Sequence, residues 1–345
     1  MKRFLLFICC CLWVLPFSGA FADTVLFTGT LEELSEIANT VSEGDCIDIS
    51  GAQFSASAGT EQLSAILQKG GTVHFEEELY GQKVTEETES LSYNGTKLES
   101  LDLFYRLLPL MPKLTSLDMC GTGIGNAEMD ALRTAFPNAG IVWSIETQYW
   151  TVRTDITFFA TWRIANRDAS GRITEAYNIN GNTSKDLEWL GYCHEITALD
   201  VGHNKLENIE FVRNMPHLQY LIIADNKVSD LSPVENLTEL TYLEIFSNPI
   251  EDLSPLQGLS ALKHLNMCYV KATDLSPLEG LPLERLWISE NYLTTRGAKA
   301  VKTRMAEIMP DCNTVIAQKG DFTGYGWRGC EEYYAMRAAL GWAVD

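Results

Sequence analysis

The chain has 345 residues, of which 46% are apolar and 21% charged, and its formal net charge at pH 7 is −20. This composition excludes an intrinsically disordered chain, because it has enough apolar residues to form a sizeable core. The negative charge disfavours nucleic acid and anionic membrane surfaces as partners, since both are bound by clustered lysine and arginine. A cationic or neutral partner is favoured instead.

The first 22 residues have the pattern of a cleavable secretory signal. Lys2 and Arg3 precede an apolar run of 14 residues, Phe4 to Phe17, and small residues follow at Ala20 and Ala22. The run is too short for a membrane-spanning helix, which needs roughly 20 residues. We therefore expect cleavage near Ala22, a secreted or extracellular location, and no transmembrane segment in the mature chain.

A 22-residue period begins at residue 196. Successive units start with ITALDVGHNKL, LQYLIIADNKV, LTYLEIFSNPI, LKHLNMCYVKA and LERLWISENYL, each a variant of L-x-x-L-x-L-x-x-N-x-L. The alternating part predicts a short strand, and the DLSP that follows predicts a helical turn capped by serine with proline at its first position. The period predicts an α/β solenoid: a leucine-rich-repeat horseshoe with a parallel concave sheet and terminal caps.

An asparagine follows most of the predicted strands. An inward amide can both donate and accept, so it can bridge the backbone groups left where the chain turns away from the sheet. The predicted ladder consists of Asn204, Asn226, Asn248 and Asn291. The fourth unit has Val270 at this position, so one rung is missing. Local drift with water filling the gap is one explanation, and a bend that shapes a binding surface is the other.

The rest of the chain does not follow the 22-residue period, and the places where the pattern changes divide it into segments. Longer units with apolar helical spacing precede the regular array, a β-branched and aromatic stretch interrupts it, and amphipathic helix patterns follow it. The predicted segments are a signal peptide at 1–22, an N-terminal cap or degenerate repeats at 23–87, longer leucine-rich repeats at 88–145, an irregular strand-rich insertion with a lead-in helix at 146–195, regular repeats at 196–293 and a C-terminal helical cap at 294–345.

The stretch LQYLIIADNKVSDLSPVENLTELTYLEIFSNPIEDLSPL resembles the 22-residue repeats of bacterial internalin-like leucine-rich-repeat proteins. The segments MCGTGIGNAEMDALRTAFPNAGIVW, VRTDITFF and TGYGWRG…YYAMRAAL are similar to a subgroup of exported proteins from anaerobic gut bacteria. The resemblance implies a concave face that binds protein. We find no sorting motif, apolar anchor or immunoglobulin-like domain after the repeats, so the resemblance does not extend to attachment to a cell wall.

The repeat register predicts which side chains lie on the concave face. The predicted ligand-binding residues are Tyr220, Ile222, Tyr242, Glu244, Phe246, His264, Asn266, Tyr269, Arg285 and Trp287, beside Ala198 and Asp200 of the first regular strand. Tyrosine, tryptophan and arginine are typical anchors of protein interfaces. Alternatively, the aromatic rings only stack on each other across neighbouring strands.

Two binding functions could use this face. One is recognition of a protein on a host or bacterial surface, and the alternative is non-catalytic glycan binding by the same aromatic rings. Higher ionic strength should weaken a protein interface that uses Arg285, Glu244 and Asp200, whereas sugar stacking should barely respond.

Catalytic, metal and cofactor motifs are not found. The chain has no G-x-S-x-G, H-E-x-x-H or P-loop pattern, and its histidines have no recurring spacing, so neither an enzyme, nor a metal, nor a cofactor is predicted. A third hypothesis, an enzyme site within residues 146–186, would depend on Arg153 and Asp155. A salt bridge or turn bond joining the two arrays is the simpler role for that pair.

One disulfide is conceivable among the mature cysteines. Cys312 and Cys330 lie close together in sequence, so a bridge between them would close a short loop near the C-terminus. Alternatively, every cysteine beyond the signal remains a thiol.

Overall fold

We describe the protein from a computed structural model, which covers residues 24–167, 173–289, 298–317, 325–328 and 331–340. The chain forms two compact units, Met1–Ser144 and Ile145–Asp345. The predicted signal peptide, Asn291 and Cys330 lie outside the described residues. Within the described ranges, no helix combines the length and apolar character needed to cross a bilayer.

The first unit combines short parallel sheets with helices. Strands β1–β2–β3 and β6–β7–β8 form two parallel sheets, and β4 and β5 pair as an antiparallel hairpin. Helix α1 begins with a reciprocal capping box, in which Thr30 accepts from Glu33 N and Glu33 accepts from Thr30 N. The elements are β1 Thr24–Leu26, α1 Leu31–Thr40, β2 Cys46–Asp48, α2 Thr60–Gln68, β3 Thr72–His74, β4 Glu77–Leu79, β5 Gln82–Val84, β6 Ser90–Ser92, α3 Asp102–Leu107, β7 Ser116–Asp118, α4 Asn126–Ala135 and β8 Ile141–Val142.

The second unit is built on one parallel sheet. Seven described strands follow the order β11-β14-β15-β16-β17-β18-β19, and the residues paired from β14 to β17 are 22 apart. The elements are β9 Ser144–Glu146 (which starts at the unit boundary), β10 Thr151–Arg153, β11 Phe158–Ala160, β12 Trp162–Arg167, β13 Ile173–Asn178, β14 Ala198–Asp200, β15 Tyr220–Ile222, β16 Tyr242–Glu244, β17 His264–Asn266, β18 Arg285–Ser289, α5 Ala298–Ile308, β19 Asn313–Ala317, α6 Tyr325–Arg328 and α7 Glu331–Ala339.

Two sheet strands come from segments that were predicted to lie outside the repeats. Phe158–Ala160, in the expected insertion, pairs in parallel with Ala198–Asp200 and opens the sheet. Asn313–Ala317, in the expected helical cap, pairs in parallel with β18. The repeat architecture is therefore longer in both directions than the strict 22-residue period indicates.

The repeat leucines form the core on one side of the sheet. The second residue of each regular strand is fully buried, and the residues on either side of it belong to the opposite face, as the two-residue period of a strand requires. These core residues are Leu199, Leu221, Leu243, Leu265 and Leu286. Each unit returns through a 3-10 turn, for example Ser232–Val234, whose first positions contain proline.

The predicted serine does not cap these turns, and the aspartate before it accepts a backbone hydrogen bond at the start of each turn. Asp230 Oδ1 accepts from Ser232 N at 2.7 Å, and Asp252 Oδ1 accepts from Ser254 N at 2.8 Å. The backbone hydrogen bond from Ser254, followed by the one from its hydroxyl, lowers the pKa of Asp252 below its ordinary value. The aspartate of DLSP therefore stabilises the turn locally, because its carboxylate reaches the backbone N–H two residues ahead.

The asparagine amides bridge successive coils. Asn226 Oδ1 accepts from Leu206 N at 3.0 Å, and its Nδ2 donates to Val201 O at 3.0 Å and Ile223 O at 2.9 Å. One amide therefore satisfies backbone groups from two consecutive units. Without it, these buried groups would lose their partners.

Asn182 adds a rung that the sequence analysis did not assign. Its backbone N–H donates to Asn204 Oδ1 at 3.0 Å, and its Nδ2 donates to Ile179 O at 2.6 Å. Asn204 Nδ2 in turn donates to Thr161 Oγ1 at 3.0 Å. The available signal was spacing, since Asn182 precedes Asn204 by 22 residues, although the sequence around it lacks the leucine pattern.

The ladder stops at Val270, and this leaves one backbone group without a partner. Asn226 and Asn248 each accept from the N–H twenty residues earlier, so position 270 would serve Ile250 N. In the described part of the chain, Ile250 N has no hydrogen-bond acceptor, and Val270 is buried. The missing rung is therefore an unpaired amide inside the repeat array.

We expect Val270→Asn to raise the free energy of unfolding by about 1 kcal/mol, because Ile250 N regains an acceptor. The gain is limited by the loss of buried valine surface. Urea denaturation at constant pH measures the change. The control is Val270→Ala, which only removes buried methyl groups and should destabilise by about 1–2 kcal/mol. An asparagine variant less stable than the alanine variant would show that the amide does not complete the ladder.

Candidate functional site

The structure brings the predicted concave-face residues together on adjacent strands. Tyr220 pairs in register with Tyr242, and Glu244 with Asn266. The rings of Tyr220 and Tyr242 lie 6.4 Å apart, so aromatic side chains do contact each other across strands. Most of these predicted ligand-binding side chains are not open to water, however. The fully or almost fully buried members are Ile222, Tyr242, Glu244, Phe246, His264, Asn266 and Trp287, whereas Tyr220, Tyr269 and Arg285 are half-buried.

The face is covered by a stretch that we call the C-terminal segment, residues 325–328 and 331–340. It comprises helices α6 and α7, and its apolar residues share one core cluster with the sheet face. The segment was predicted to cap the last coil. It lies instead against the middle strands of the sheet, where its contacts run to Tyr242, Glu244 and Trp287.

Glu244 is the polar centre of this contact. Its side chain is fully buried on the middle strand β16, and it accepts three hydrogen bonds. Trp327 Nε1 donates to Oε1 at 2.9 Å, Tyr242 Oη donates to the same oxygen, and Arg328 Nη2 donates to Oε2 at 2.9 Å. Burial and the Glu244 charge raise the pKa of Tyr242, so its hydroxyl keeps its proton and remains a donor.

Arg328 supplies the positive charge that Glu244 requires. Burial opposes that charge most strongly, but the attraction of Glu244, the contributions of Tyr333 and Tyr242 and the hydrogen bond to Glu244 together outweigh burial and raise the pKa of Arg328 above its ordinary value. The guanidinium also lies 5.3 Å from the ring centre of Tyr333, and 23% of the side chain stays exposed. A buried carboxylate is tolerated in this geometry because each oxygen has a donor and the charge has a counterion.

Trp327 is the largest apolar contribution of the C-terminal segment. It is fully buried, and its ring centre lies 5.5 Å from that of Tyr242 and 5.9 Å from that of Trp287. The Arg285 guanidinium lies 4.8 Å from the Trp327 ring centre, and Arg285 Nη2 donates to Trp327 O at 3.0 Å. The sheet face therefore contacts both the side chain and the backbone of this residue.

Helix α7 completes the contact with one apolar stripe. Tyr333, Met336 and Leu340 follow the spacing of a single helical face, and all three are buried in the cluster with Ile222 and Phe246. The opposite side of the helix is open, as shown by Tyr334, which is 43% exposed. The contact is that of an amphipathic helix lying in an apolar groove.

A small cavity remains beside Arg328. Its volume is about 140 Å³, and it is lined by Trp162, Asn180, Asp200, Gly202, His203, Ile222 and Arg328. Asp200 Oδ1 accepts from Gly202 N at 2.9 Å. Burial raises the pKa of Asp200 to about 6, despite opposing contributions from the Gly202 amide and the Arg328 charge.

The stability of the protein should depend on pH through Asp200. The folded state holds its proton up to about pH 6, whereas the unfolded chain releases it near 3.8. The folded state therefore binds more protons between these values, and this group's contribution to the free energy of unfolding falls as pH rises through that window. We expect Asp200→Asn to gain about 2–3 kcal/mol relative to wild type between pH 4 and pH 7, measured by urea denaturation.

Asp252→Asn is the control, because the pKa of Asp252 is lowered and not raised. Because the pH dependence of a lowered pKa falls below the unfolded value of 3.8, the difference between this variant and wild type should stay nearly constant between pH 4 and pH 7. A pH-independent difference between Asp200→Asn and wild type would contradict the assignment of a raised pKa to Asp200.

Polar residues away from the centre of the concave face also have structural partners. Arg153 and Asp155 form an exposed ion pair with each other, with Nη2 and Oδ2 2.9 Å apart. His203 Nδ1 lies 3.0 Å from Asp225 Oδ2 on the next coil. Cys312 is half-buried, and its pairing with Cys330 stays a prediction because Cys330 lies outside the described residues. Across the described ranges, no three His, Cys, Asp or Glu side chains converge as metal ligands would.

The functional residues that the sequence analysis missed are Trp327, Arg328, Tyr333 and Met336. Their signal was visible as an aromatic and basic cluster in YGWRG followed by an amphipathic helix pattern. The pattern was interpreted as an end cap because a solenoid needs one. Nothing in a local pattern indicates that it would contact strand β16, more than eighty residues earlier.

Comparison with known proteins agrees with the repeat architecture. Residues 216–258 match the family model described as Leucine Rich repeats (2 copies). Together with the parallel sheet of 22-residue units, this match confirms the predicted leucine-rich-repeat solenoid. No curated protein matches the chain.

Among solved structures, the chain is similar to internalins and other leucine-rich-repeat proteins. Internalin F of Listeria monocytogenes shares 18% identity over 85% of this chain and 74% of its own, with a TM-score of 0.34. Internalin C2 of the same species shares 19% identity over 45% of this chain and 84% of its own, with a TM-score of 0.30. A leucine-rich-repeat protein of Leptospira interrogans shares 12% identity over 85% of this chain and 76% of its own, with a TM-score of 0.35.

Proposed function

We propose that the protein is an exported interaction module that binds a polypeptide segment of a partner through its concave face. The observation that supports this most is the contact already present on that face. Tyr242, Glu244, Arg285 and Trp287 bind a helical segment by an ion pair, ring contacts and a hydrogen bond to its backbone. The same groups are suited to a segment of another protein, and solenoid repeats characteristically bind partners on such faces.

The proposal is tested by capture from surface proteins of host mucosa and of bacteria, followed by direct binding with the purified partner. The bait is the full chain carrying Arg328→Glu, which sets a second carboxylate against Glu244 and should open the face. Calorimetry with the purified partner should show at least 10-fold tighter binding to this variant than to wild type. Unfolding of each bait in urea verifies that it is folded.

The matched control adds Tyr220→Ala and Arg285→Ala to the opened bait. Both residues are half-buried on the concave face, so their truncation removes binding groups with little loss of core. The partner's affinity should fall at least 10-fold. A partner that binds all the baits equally would contact another surface and would overturn the proposed concave-face function.

Glycan binding is the second candidate, and the cavity beside Arg328 is the observation that favours it. An indole ring at Trp162 and the polar groups of Asn180, Asp200 and Arg328 suit a sugar ring and its hydroxyls. A glycan array probed with the full chain and with Trp162→Ala tests this reading. Binding that is lost in the variant and insensitive to salt would favour glycan recognition over protein recognition.

A further inference from the structure

We infer that the C-terminal segment is a resident ligand of the concave face, and that the external partner must present the same chemistry to displace it. That chemistry is an aromatic ring followed directly by a guanidinium and then by an apolar helical stripe. This inference rests on the proposed function and specifies the partner for the same site. It also makes binding competitive, because one face cannot hold both segments.

The requirement for a cation comes from Glu244. Its Oε2 is paired with Arg328, and its Oε1 receives donors from Trp327 and Tyr242. Removal of the C-terminal segment would leave Tyr242 as the donor from the sheet and no counterion from Arg328. A neutral or acidic segment placed there would bury the carboxylate without a positive partner, which is strongly unfavourable. Glu244 therefore selects a basic segment, and the chain's net charge of −20 attracts such a segment.

The requirement for an aromatic ring comes from the surroundings of Trp327. Tyr242 and Trp287 contact its ring from the sheet, and the Arg285 guanidinium lies over it. The hydrogen bond from Arg285 to Trp327 O fixes the backbone at this residue, so the ring and the next side chain are placed relative to Glu244. The order aromatic-then-arginine is therefore part of the recognition.

Covalent connection gives the resident segment an advantage. Seven residues, 318–324, connect strand β19 to helix α6. Short linkers give effective concentrations on the order of 1 mM. An external segment at about 10 µM must then bind roughly 100-fold more tightly than the resident one to occupy half of the sites. Wild-type protein should consequently bind weakly in trans, and loosening the resident segment should reveal the site.

The test uses a fluorescein-labelled peptide of residues 325–340 carrying Cys330→Ser. Fluorescence anisotropy measures its binding to the full-length wild type and to a full-length Trp327→Ala, Arg328→Ala variant. We expect at least 10-fold tighter binding to the variant. A peptide with Arg328→Glu should lose at least 10-fold in affinity, whereas the control peptide Glu331→Gln, changed at an exposed position, should stay within about 2-fold.

A charge exchange separates recognition from loss of folding. The full-length Trp327→Ala, Arg328→Ala protein is called the vacated variant. Adding Glu244→Lys to it should reverse the charge preference for position 328 of the peptide, so that the Arg328→Glu peptide binds more tightly than the unaltered one. If the double variant lacks a cooperative unfolding transition, Arg328→Ala alone replaces it. Equal binding to wild type and the vacated variant, or indifference to the charge at position 328, would overturn the inference.

The two proposals fail in different ways. Peptide binding with the expected charge preference, but no purified partner that binds the opened bait, would leave the resident-ligand chemistry intact and refute the proposed function. A purified partner that binds the concave face but does not compete with the labelled peptide would support the proposed function and refute this inference.

Discussion

Replacing Arg328 with methionine should release most of the hydrogen-exchange protection of helix α7. The substitution keeps a long apolar stem but removes the counterion of Glu244, which is fully buried. Breaking a buried ion pair from one side costs about 3–5 kcal/mol, and we expect about 3 kcal/mol because 23% of the Arg328 side chain is exposed. Opening of residues 331–340 should then become about 100-fold more frequent, as measured by amide exchange.

Two variants make this prediction specific. Arg304→Met removes an exposed arginine that lies 3.5 Å from Glu307, and it should change the stability of helix α5 by less than about 1 kcal/mol. Glu244→Gln combined with Arg328→Met removes both charges, and Oε1 of glutamine still accepts from Trp327 and Tyr242. The double variant should recover more than half of the lost protection. Equal loss in the single and double variants would show that the contact does not depend on the ion pair.

Much of the fold could be predicted from the sequence because leucine-rich repeats are local and periodic. A strand such as Tyr220–Ile222 pairs with the strands 22 residues before and after it, so the period determines its neighbours in the sheet. The prediction stopped where the period did. Phe158–Ala160 is followed by a hairpin, and Asn313–Ala317 is preceded by a helix, so neither matched the template although both extend the same sheet.

Only the sheet residues of the candidate site could be predicted from the sequence. The register places Tyr242, Glu244 and Trp287 on one face, because alternation along a strand is a local property. Their burial depends on Trp327, which is 83 residues from Glu244 and belongs to no repeat. A lone carboxylate in an aromatic surface was nevertheless a usable signal. A buried charge requires a counterion, and the segment around Arg328 combines arginine with aromatic residues.

The asparagine ladder should give the second large effect, through Asn248. Its Oδ1 accepts from Val228 N at 3.0 Å, and its Nδ2 donates to Ile223 O at 2.9 Å and Ile245 O at 3.1 Å. Asn248→Ala would leave these groups without the amide in a buried setting, where each loss costs about 1–3 kcal/mol. We expect the free energy of unfolding to fall by about 3 kcal/mol, measured by urea denaturation.

Asn236→Ala serves as the control, because Asn236 is exposed on the return side of the preceding coil and should change stability by less than about 0.5 kcal/mol. Asn248→Asp is a more stringent comparison, since it keeps the acceptor for Val228 N but replaces the donor with a charge. It should destabilise at least as much as alanine, because the carbonyls of Ile223 and Ile245 would face a carboxylate. A near-neutral Asn248→Asp would show that donation to these carbonyls contributes little. The ladder would then stabilise the coils through the Val228 N–H alone.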